Sequence, residues 1–163
     1  MDAEWKKRLN EVYYPLELKR AELTHALFCP MFDLSSGFFN GHYHETPEGT
    51  YQMDCYPIPV ISVKGLCDIE IDFDGISVSA KKRRRDVLEY SFKVLEGYAF
   101  EAFGVEDYLC TYYKEGLSLT DMKQSIAEST EREIGFSFSF PIDINGKTLL
   151  DFVKLLRREG FYY

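Results

Sequence analysis

The clearest alternation of hydrophobic and polar positions lies between residues 68 and 80. Apolar residues alternate with acidic ones along 68–74, and with serine or lysine along 76–81. A period of two is typical of a half-buried strand. The Asp74-Gly75 step between the two runs favours the type I′ turn of a two-residue hairpin. The pattern therefore predicts a β-hairpin over 68–80, with Phe73 on its apolar face.

Strand patterns of ordinary length also precede this hairpin. They cover residues 38–45, 50–56 and 60–63. Residues 46–49 read Thr-Pro-Glu-Gly, a turn in which proline presets φ and glycine takes the left-handed position. Pro57 and Pro59 argue against a central strand position for the link that follows. Together these segments predict an antiparallel β-meander over about residues 38–82.

Helical periodicity is found towards both ends of the chain. Helices are predicted over residues 3–13, 16–28, 118–129 and 148–159. Pro15 separates the first two and suits the first turn of the second, although a strand over 16–19 is an alternative. The third and fourth open on capping patterns at Ser118 and Thr148.

The segments between the meander and the last helix have mixed signals. A strand is predicted over 98–103, a helix over 105–113 and a strongly apolar strand over 134–140. Residues 86–95 fit a helix and a strand equally well by spacing. A helix is preferred there, with Asp86 as N-cap and Gly97 just beyond its end.

The fold expected from these elements is a single α+β domain spanning residues 1–163. Its antiparallel sheet comes mostly from the middle of the chain and gains later strands. Helices from the N- and C-terminal parts pack against that sheet. A length of 163 residues with 45% hydrophobic content is sufficient for one substantial core.

Charge and cysteine content narrow the class of protein. The net charge is -8, with 27 acidic against 19 basic residues, which disfavours nucleic acid and anionic membranes as partners. No apolar leader opens the sequence and no run of about 18 apolar residues occurs. Four cysteines stand without a CxxC pair or zinc-finger spacing. A cytoplasmic protein with reduced thiols and no membrane contact is expected.

A candidate metal site lies at His42, His44 and Glu45. On a strand, the two histidines share a face and can reach one ion. Asp54 or Cys55 on the neighbouring strand can supply a further ligand. The alternative is an exposed hairpin tip that binds nothing.

A candidate anion-binding site lies in the basic run 81–85, through Arg83, Arg84 and Arg85. Arginines beside a helix start can bind phosphate or a carboxylate-rich partner. The alternative is a solvated turn whose charge is balanced by acids of the same chain, such as those at 101, 106 and 107. We expect this second outcome, because surface charge runs are usually solvated.

Two other motifs are rejected on physical grounds, and no cofactor is expected. Residues 70–75 resemble the opening of a calcium loop, but the twelfth position is Lys81, where calcium requires a bidentate glutamate. Gly146-Lys147-Thr148 resembles the end of a phosphate-binding loop, but Pro141 stands where that loop needs glycine. A turn followed by a helix cap explains residues 146–148.

The function indicated by this sequence is a non-catalytic binding or accessory module that acts through protein–protein contacts, with another protein or as a homodimer. Two observations support this prediction: the sequence lacks convergent catalytic residues, and it has a surplus of aromatic residues, with 13 Phe and 12 Tyr. Tyr112, Tyr113 and residues 161–163 are candidate interface aromatics. The alternative is a small enzyme or ligand-binding protein with a polar pocket at the sheet, built from the histidine pair or the basic run.

Overall fold

The computed structural model describes residues 7, 11, 13–28, 32–39, 43–45, 51–53 and 58–163. Within these residues the chain forms four α-helices. They are α1 (Tyr14–Leu27), α2 (Arg84–Glu89), α3 (Leu119–Glu128) and α4 (Gly146–Arg158). A single turn of 3₁₀ helix covers Lys93–Leu95.

The described strands form a seven-stranded sheet and a separate two-stranded hairpin. They are β1 (Leu34–Phe39), β2 (Tyr43–Glu45), β3 (Tyr51–Met53), β4 (Ile58–Val63), β5 (Cys67–Asp72), β6 (Gly75–Arg83), β7 (Ala99–Gly104), β8 (Thr111–Tyr113) and β9 (Glu133–Phe140). The large sheet has the order β1-β4-β5-β6-β9-β7-β8, and all its pairings are antiparallel. The predicted single α+β domain with an antiparallel sheet is confirmed.

One face of the large sheet is apolar and the other is polar, as the alternation predicts. Ile69 pairs with Val78, which pairs in turn with Phe138, and all three are fully buried. Helices α1 and α4 contribute to the same core through residues such as Leu23 and Phe152. The opposite face carries the intervening serines and charged residues of β5, β6 and β9. Burial of the apolar face is the main force that holds this fold together.

The hairpin over 68–80 is confirmed, but its turn lies one residue earlier than predicted. Asp72 pairs with Gly75, so Phe73 and Asp74 occupy the turn. Phe73 is therefore 62% exposed, and its placement on the apolar face was wrong. Gly75 has a φ of 149°, and a Cβ at this position would stand 2.7 Å from the carbonyl oxygen of Phe140. Glycine is required here by close approach of β9.

The first part of the meander differs from the prediction. The segment predicted as one strand over 38–45 is divided between β1 of the large sheet and β2 of the small one. Among the described strands, β2 pairs only with β3, so these two strands do not extend the meander. The turn at 46–49 lies outside the described residues. Pro59 lies inside β4, opposite Phe38 of β1, one residue beyond Val60, where the pairing of β4 with β5 ends. A proline is tolerated there because it lies beyond the β4–β5 ladder, where no backbone N–H is needed to bond to β5.

Between the meander and the later elements, two predictions need correction. The helix expected over 86–95 exists as α2, which begins at Arg84 and ends at Glu89, so Asp86 is not its N-cap. The helix expected over 105–113 was wrong, since 105–110 form a loop and β8 follows it. The side chain of Glu131 accepts hydrogen bonds from the backbone of this loop and replaces the bonds that a helix would make.

The other helices and strands agree with the sequence patterns. β7, β9, α1, α3 and α4 match their predicted segments within two residues. Ser118 caps α3 as predicted. The cap predicted at Thr148 was wrong, because Asn145 caps α4 by accepting from the backbone N–H of Thr148. α4 packs on α1 where a Cβ on Gly146 would stand within 2.3 Å of the Ala26 Cβ. The helix predicted over 3–13 falls almost wholly outside the described residues.

Candidate anion-binding site

The basic run divides between the two faces of β6 and the start of α2. The side chain of Lys82 follows Val78 and Ala80 on the buried face and is only 4% exposed. Arg83 and Arg85 are exposed, and Arg84 is half-buried. The run is therefore not one solvated turn: Lys82 belongs to the core, and the arginines to a surface cleft.

Lys82 is a buried cation without a described carboxylate in ion-pairing range. Its ammonium nitrogen donates to the Glu159 carbonyl oxygen at 2.7 Å, and lies 4.3 Å from the ring centroid of Tyr90 and 4.5 Å from that of Phe161. Burial lowers the pKa of Lys82. This residue holds α2, α4 and the sheet together and is not available to a ligand.

The arginines line an open cleft between the end of β6 and the loop that joins α3 to β9. Its volume is about 670 Å³. We call it the arginine cleft, and its lining residues are Arg83, Arg84, Arg85, Thr130, Glu131, Arg132, Glu133 and Tyr162. Four guanidinium groups and two carboxylates thus share one surface cavity.

The hydrogen bonds of Arg84 hold the cleft in shape. Its backbone N–H donates to the carbonyl oxygen of Arg132 at 2.9 Å, and its guanidinium donates to that of Ser129 at 2.6 Å. A cation at the last turn of α3 is favoured by the helix dipole. Arg84 therefore fixes the loop after α3 against the start of α2 and holds the two walls of the cleft together.

The carboxylate of Glu131 is already used inside the protein. Its two oxygens accept from the backbone N–H groups of Glu106 and Asp107, each at 2.8 Å, and the residue is 5% exposed. Hydrogen bonds from backbone amides satisfy the charge of a buried carboxylate. Glu131 therefore ties the loop 105–110 to the cleft and forms no ion pair with the described arginines.

The second carboxylate of the cleft, Glu133, also has a partner. Its Oε2 accepts from the hydroxyl of Tyr162 at 2.6 Å. Burial, with the hydrogen bond to Glu133, raises the pKa of Tyr162 to about 12. The pair closes the side of the cleft formed by the sheet.

Three guanidinium groups at the cleft have no ionic partner within the described residues. No described carboxylate lies within 4.0 Å of Arg83, Arg85 or Arg132, and the acids at 101, 106 and 107 are not paired with the basic run. All three arginines are exposed. In a chain with a net charge of -8, this leaves a local excess of positive charge.

The predicted metal site cannot be followed to its side chains. His42 lies outside the described residues, as do Asp54 and Cys55, and for His44 and Glu45 in β2 the structure describes the backbone only. Elsewhere in the described chain, no cluster of three or more His, Cys, Asp or Glu side chains is suited to a metal ion. The metal site stays a prediction.

Cysteine placement gives no sign of a reactive thiol among the described residues. Cys67 is a free, fully buried residue of β5, and burial raises its pKa to about 12. Cys110 is a free, half-buried residue at the end of the loop 105–110. A thiol held in its neutral form is a poor nucleophile, so Cys67 is a packing residue.

Five of the eight residues that line the cleft were not predicted from the sequence. Residues 130–133 follow a helix, Tyr162 follows another, and none of them forms a motif with the basic run. The sequence indicates Tyr162 only as a candidate interface aromatic. Arg132 adjoins two glutamates, so the local sequence resembles an ordinary solvated turn. Only the pairing of β6 with β9 brings these residues together.

Comparisons with known proteins identify a similar fold. No family model matches the chain, and no curated protein matches it. A solved structure of a conserved hypothetical protein from Pyrococcus furiosus is similar, with a TM-score of 0.66, 20% sequence identity, and coverage of 98% of each chain. At this identity the similarity shows the fold alone. In the part of the chain that the structure describes, no helix has the length and apolarity needed to cross a bilayer.

Proposed function

We propose that this protein is a non-catalytic binding module that uses the arginine cleft to bind an anionic group on a partner protein. The observation that carries the proposal is the set of three exposed guanidinium groups, at Arg83, Arg85 and Arg132, with no described carboxylate in ion-pairing range. Arginine suits this role because its planar fork of donors matches carboxylate and phosphate oxygens.

The residues around the arginines favour ligand binding without catalysis. Both carboxylates of the cleft already accept hydrogen bonds, from backbone amides at Glu131 and from Tyr162 at Glu133. Each carboxylate therefore has a structural partner within the protein. The overall negative charge repels anions from most of the surface, so electrostatic attraction is confined to the cleft.

Anion-dependent stabilisation tests this proposal. Melting temperatures are compared in phosphate and in chloride at equal ionic strength and low millimolar concentration, where general exclusion effects are small. The cleft variant is Arg83→Gln/Arg85→Gln, which leaves the structural Arg84 intact. The matched control is Lys147→Gln/Lys154→Gln, which removes the same charge from exposed positions of α4.

Phosphate is expected to stabilise the wild type and the control but not the cleft variant. At ten times the dissociation constant, a single site adds about 1.4 kcal/mol to the free energy of unfolding, which corresponds to a melting-temperature rise of roughly 3–5 °C. Circular dichroism confirms that each variant is folded. An equal phosphate response in all three proteins contradicts the proposal. Light scattering on the same samples distinguishes a homodimer from a monomer that binds another protein.

A further inference from the structure

Beside the arginine cleft, the loop 105–110 presents two large apolar side chains to solvent. Tyr108 is 77% exposed and Leu109 is 79% exposed. They follow directly after Asp107, whose backbone N–H is held by the cleft residue Glu131. An apolar surface therefore adjoins a cationic one.

The loop is fastened by hydrogen bonds at its base and within itself. Glu131 holds the N–H groups of Glu106 and Asp107, the Gly104 N–H donates to the Cys110 carbonyl at 2.8 Å, and the Cys110 N–H donates to the Asp107 carbonyl at 2.9 Å. Two apolar side chains held outward on a fixed loop do not contribute to the core. Tyrosine and arginine are among the residues most enriched at protein interfaces.

The form of the cleft favours a segment of a macromolecule over a small metabolite. Small-molecule sites are mostly enclosed, apolar cavities that bury most of the ligand surface. The arginine cleft is open, and its lining is charged, with two hydroxyl groups from Thr130 and Tyr162. A ligand that places one group in the cleft and continues across the neighbouring loop fits both features.

Resting on the proposed function, we infer that the ligand is a phosphorylated peptide segment of a partner protein. Its phosphoryl group binds Arg83, Arg85 and Arg132, and a neighbouring apolar residue packs on Tyr108 and Leu109. Three guanidinium groups offer more donors and more charge than one carboxylate can use. A phosphoryl group, with a charge of about -1.5 to -2 and three acceptor oxygens, matches them.

The charge of the chain separates this ligand from nucleic acid. RNA and DNA present phosphates along their length and are bound by extended basic surfaces. Here the net charge is -8, and the outer face of β5 beside β6 carries Asp68, Glu70 and Asp72. One isolated phosphate is accommodated, and a chain of them is repelled.

Binding to degenerate peptide libraries tests the inference. The probes are three libraries with a fixed central phosphoserine, glutamate or serine, together with inorganic phosphate and a mixed-sequence single-stranded RNA. The proteins are the wild type, Arg83→Gln/Arg85→Gln, Tyr108→Ser/Leu109→Ser and the control Lys147→Gln/Lys154→Gln. Circular dichroism establishes that each protein is folded before binding is measured.

We expect the wild type and the control to bind the phosphoserine library at least tenfold more tightly than the glutamate library. The arginine variant should lose this preference. The loop variant should bind the phosphoserine library at least threefold more weakly and respond to inorganic phosphate as the wild type does. Weaker peptide binding with an unchanged phosphate response would show that the loop contacts the peptide and that the arginine cleft itself is intact.

Each contrary result has a defined meaning. If inorganic phosphate stabilises the wild type but the phosphoserine library binds no more tightly than the glutamate library, the inference fails and the proposed function stands. If no phosphate response depends on the arginines, both fail. Equal binding of the peptides by the loop variant overturns the role of Tyr108 and Leu109. Tighter binding of RNA than of any peptide overturns the choice of a peptide ligand.

Discussion

The ammonium nitrogen of Lys82 lies 4.3 Å from the ring centroid of Tyr90, and both residues bind Glu159. Lys82 donates to its carbonyl oxygen at 2.7 Å, and the Tyr90 hydroxyl donates to its carboxylate at 3.1 Å. Burial, with the negative charge of Glu159, raises the pKa of Tyr90. A buried cation is thus stabilised by a carbonyl and an aromatic ring face, without direct contact to a carboxylate.

Replacing Lys82 should change how stability depends on pH. Burial places the Lys82 pKa below its ordinary value of 10.5, so between these two values the unfolded chain holds a proton that the folded chain has lost. The free energy of unfolding therefore rises with pH across this window. Lys82→Met lacks this contribution, so the wild type should gain stability relative to the variant as the pH approaches 10.5. Urea unfolding over a pH series measures the difference.

The control for this experiment is Lys81→Met. Lys81 is the preceding residue, with a half-buried side chain on the outer face and its ammonium group 4.9 Å from the Tyr163 ring centroid. This variant keeps Lys82, so it should retain the rise in stability that the wild type shows as the pH approaches 10.5. A Lys82→Met series that runs parallel to that of the wild type would show that the buried ammonium group titrates as it does in the unfolded chain.

Phe138 should be among the most costly positions to truncate. It is a fully buried residue of β9, with ring centroids of Phe152, Phe100 and Phe161 at 4.9, 5.6 and 5.8 Å. Phe138→Ala should lower the free energy of unfolding by about 3–5 kcal/mol. Phe73→Ala, in the exposed turn, should change it by no more than about 0.5 kcal/mol. A loss below about 1 kcal/mol at Phe138 in urea melts would contradict the buried placement.

Gly75 should tolerate a methyl group less well than Gly65. Both have positive φ, 149° and 76°, but a Cβ on Gly75 meets the Phe140 carbonyl oxygen at 2.7 Å, whereas one on Gly65 has no neighbour within 4 Å. Gly65→Ala should cost about 1–2 kcal/mol from backbone strain alone. Gly75→Ala should cost more, because β6 and β9 must also separate locally. Equal losses in chemical denaturation would show that the sheet adjusts without cost.

Local patterns predicted the elements whose signals lie within a few residues. Alternation identified β5 and β6, and helical spacing with a capping residue identified α3 and α4. The position of Lys82 could also have been predicted, since it continues the apolar alternation of β6. A lysine in that register is expected to bury its stem against the core.

The sequence could not predict features that depend on distant partners. Residues 105–113 have helical spacing, but the Glu131 carboxylate binds the N–H groups of Glu106 and Asp107 from the far side of α3. The arginine cleft depends in the same way on Arg84 and Arg132, which meet only after β6 and β9 have paired. Tertiary hydrogen bonds of this kind override the local preference for a helix or a strand. The hydrophobic periodicity of one sequence does not report contacts between distant residues.

The insertion of β9 between β6 and β7 has a consequence for how the protein is made. β6 and β7 are synthesised earlier, and each presents an unpaired edge until residues 133–140 emerge from the ribosome. The nascent chain therefore carries two incomplete sheets, and the last strand, which carries Phe136, Phe138 and Phe140, arrives later to join them. Long-range pairing of this type slows folding and leaves strand edges open to association with other chains. We therefore expect this protein to depend on chaperones while it is synthesised in the cell.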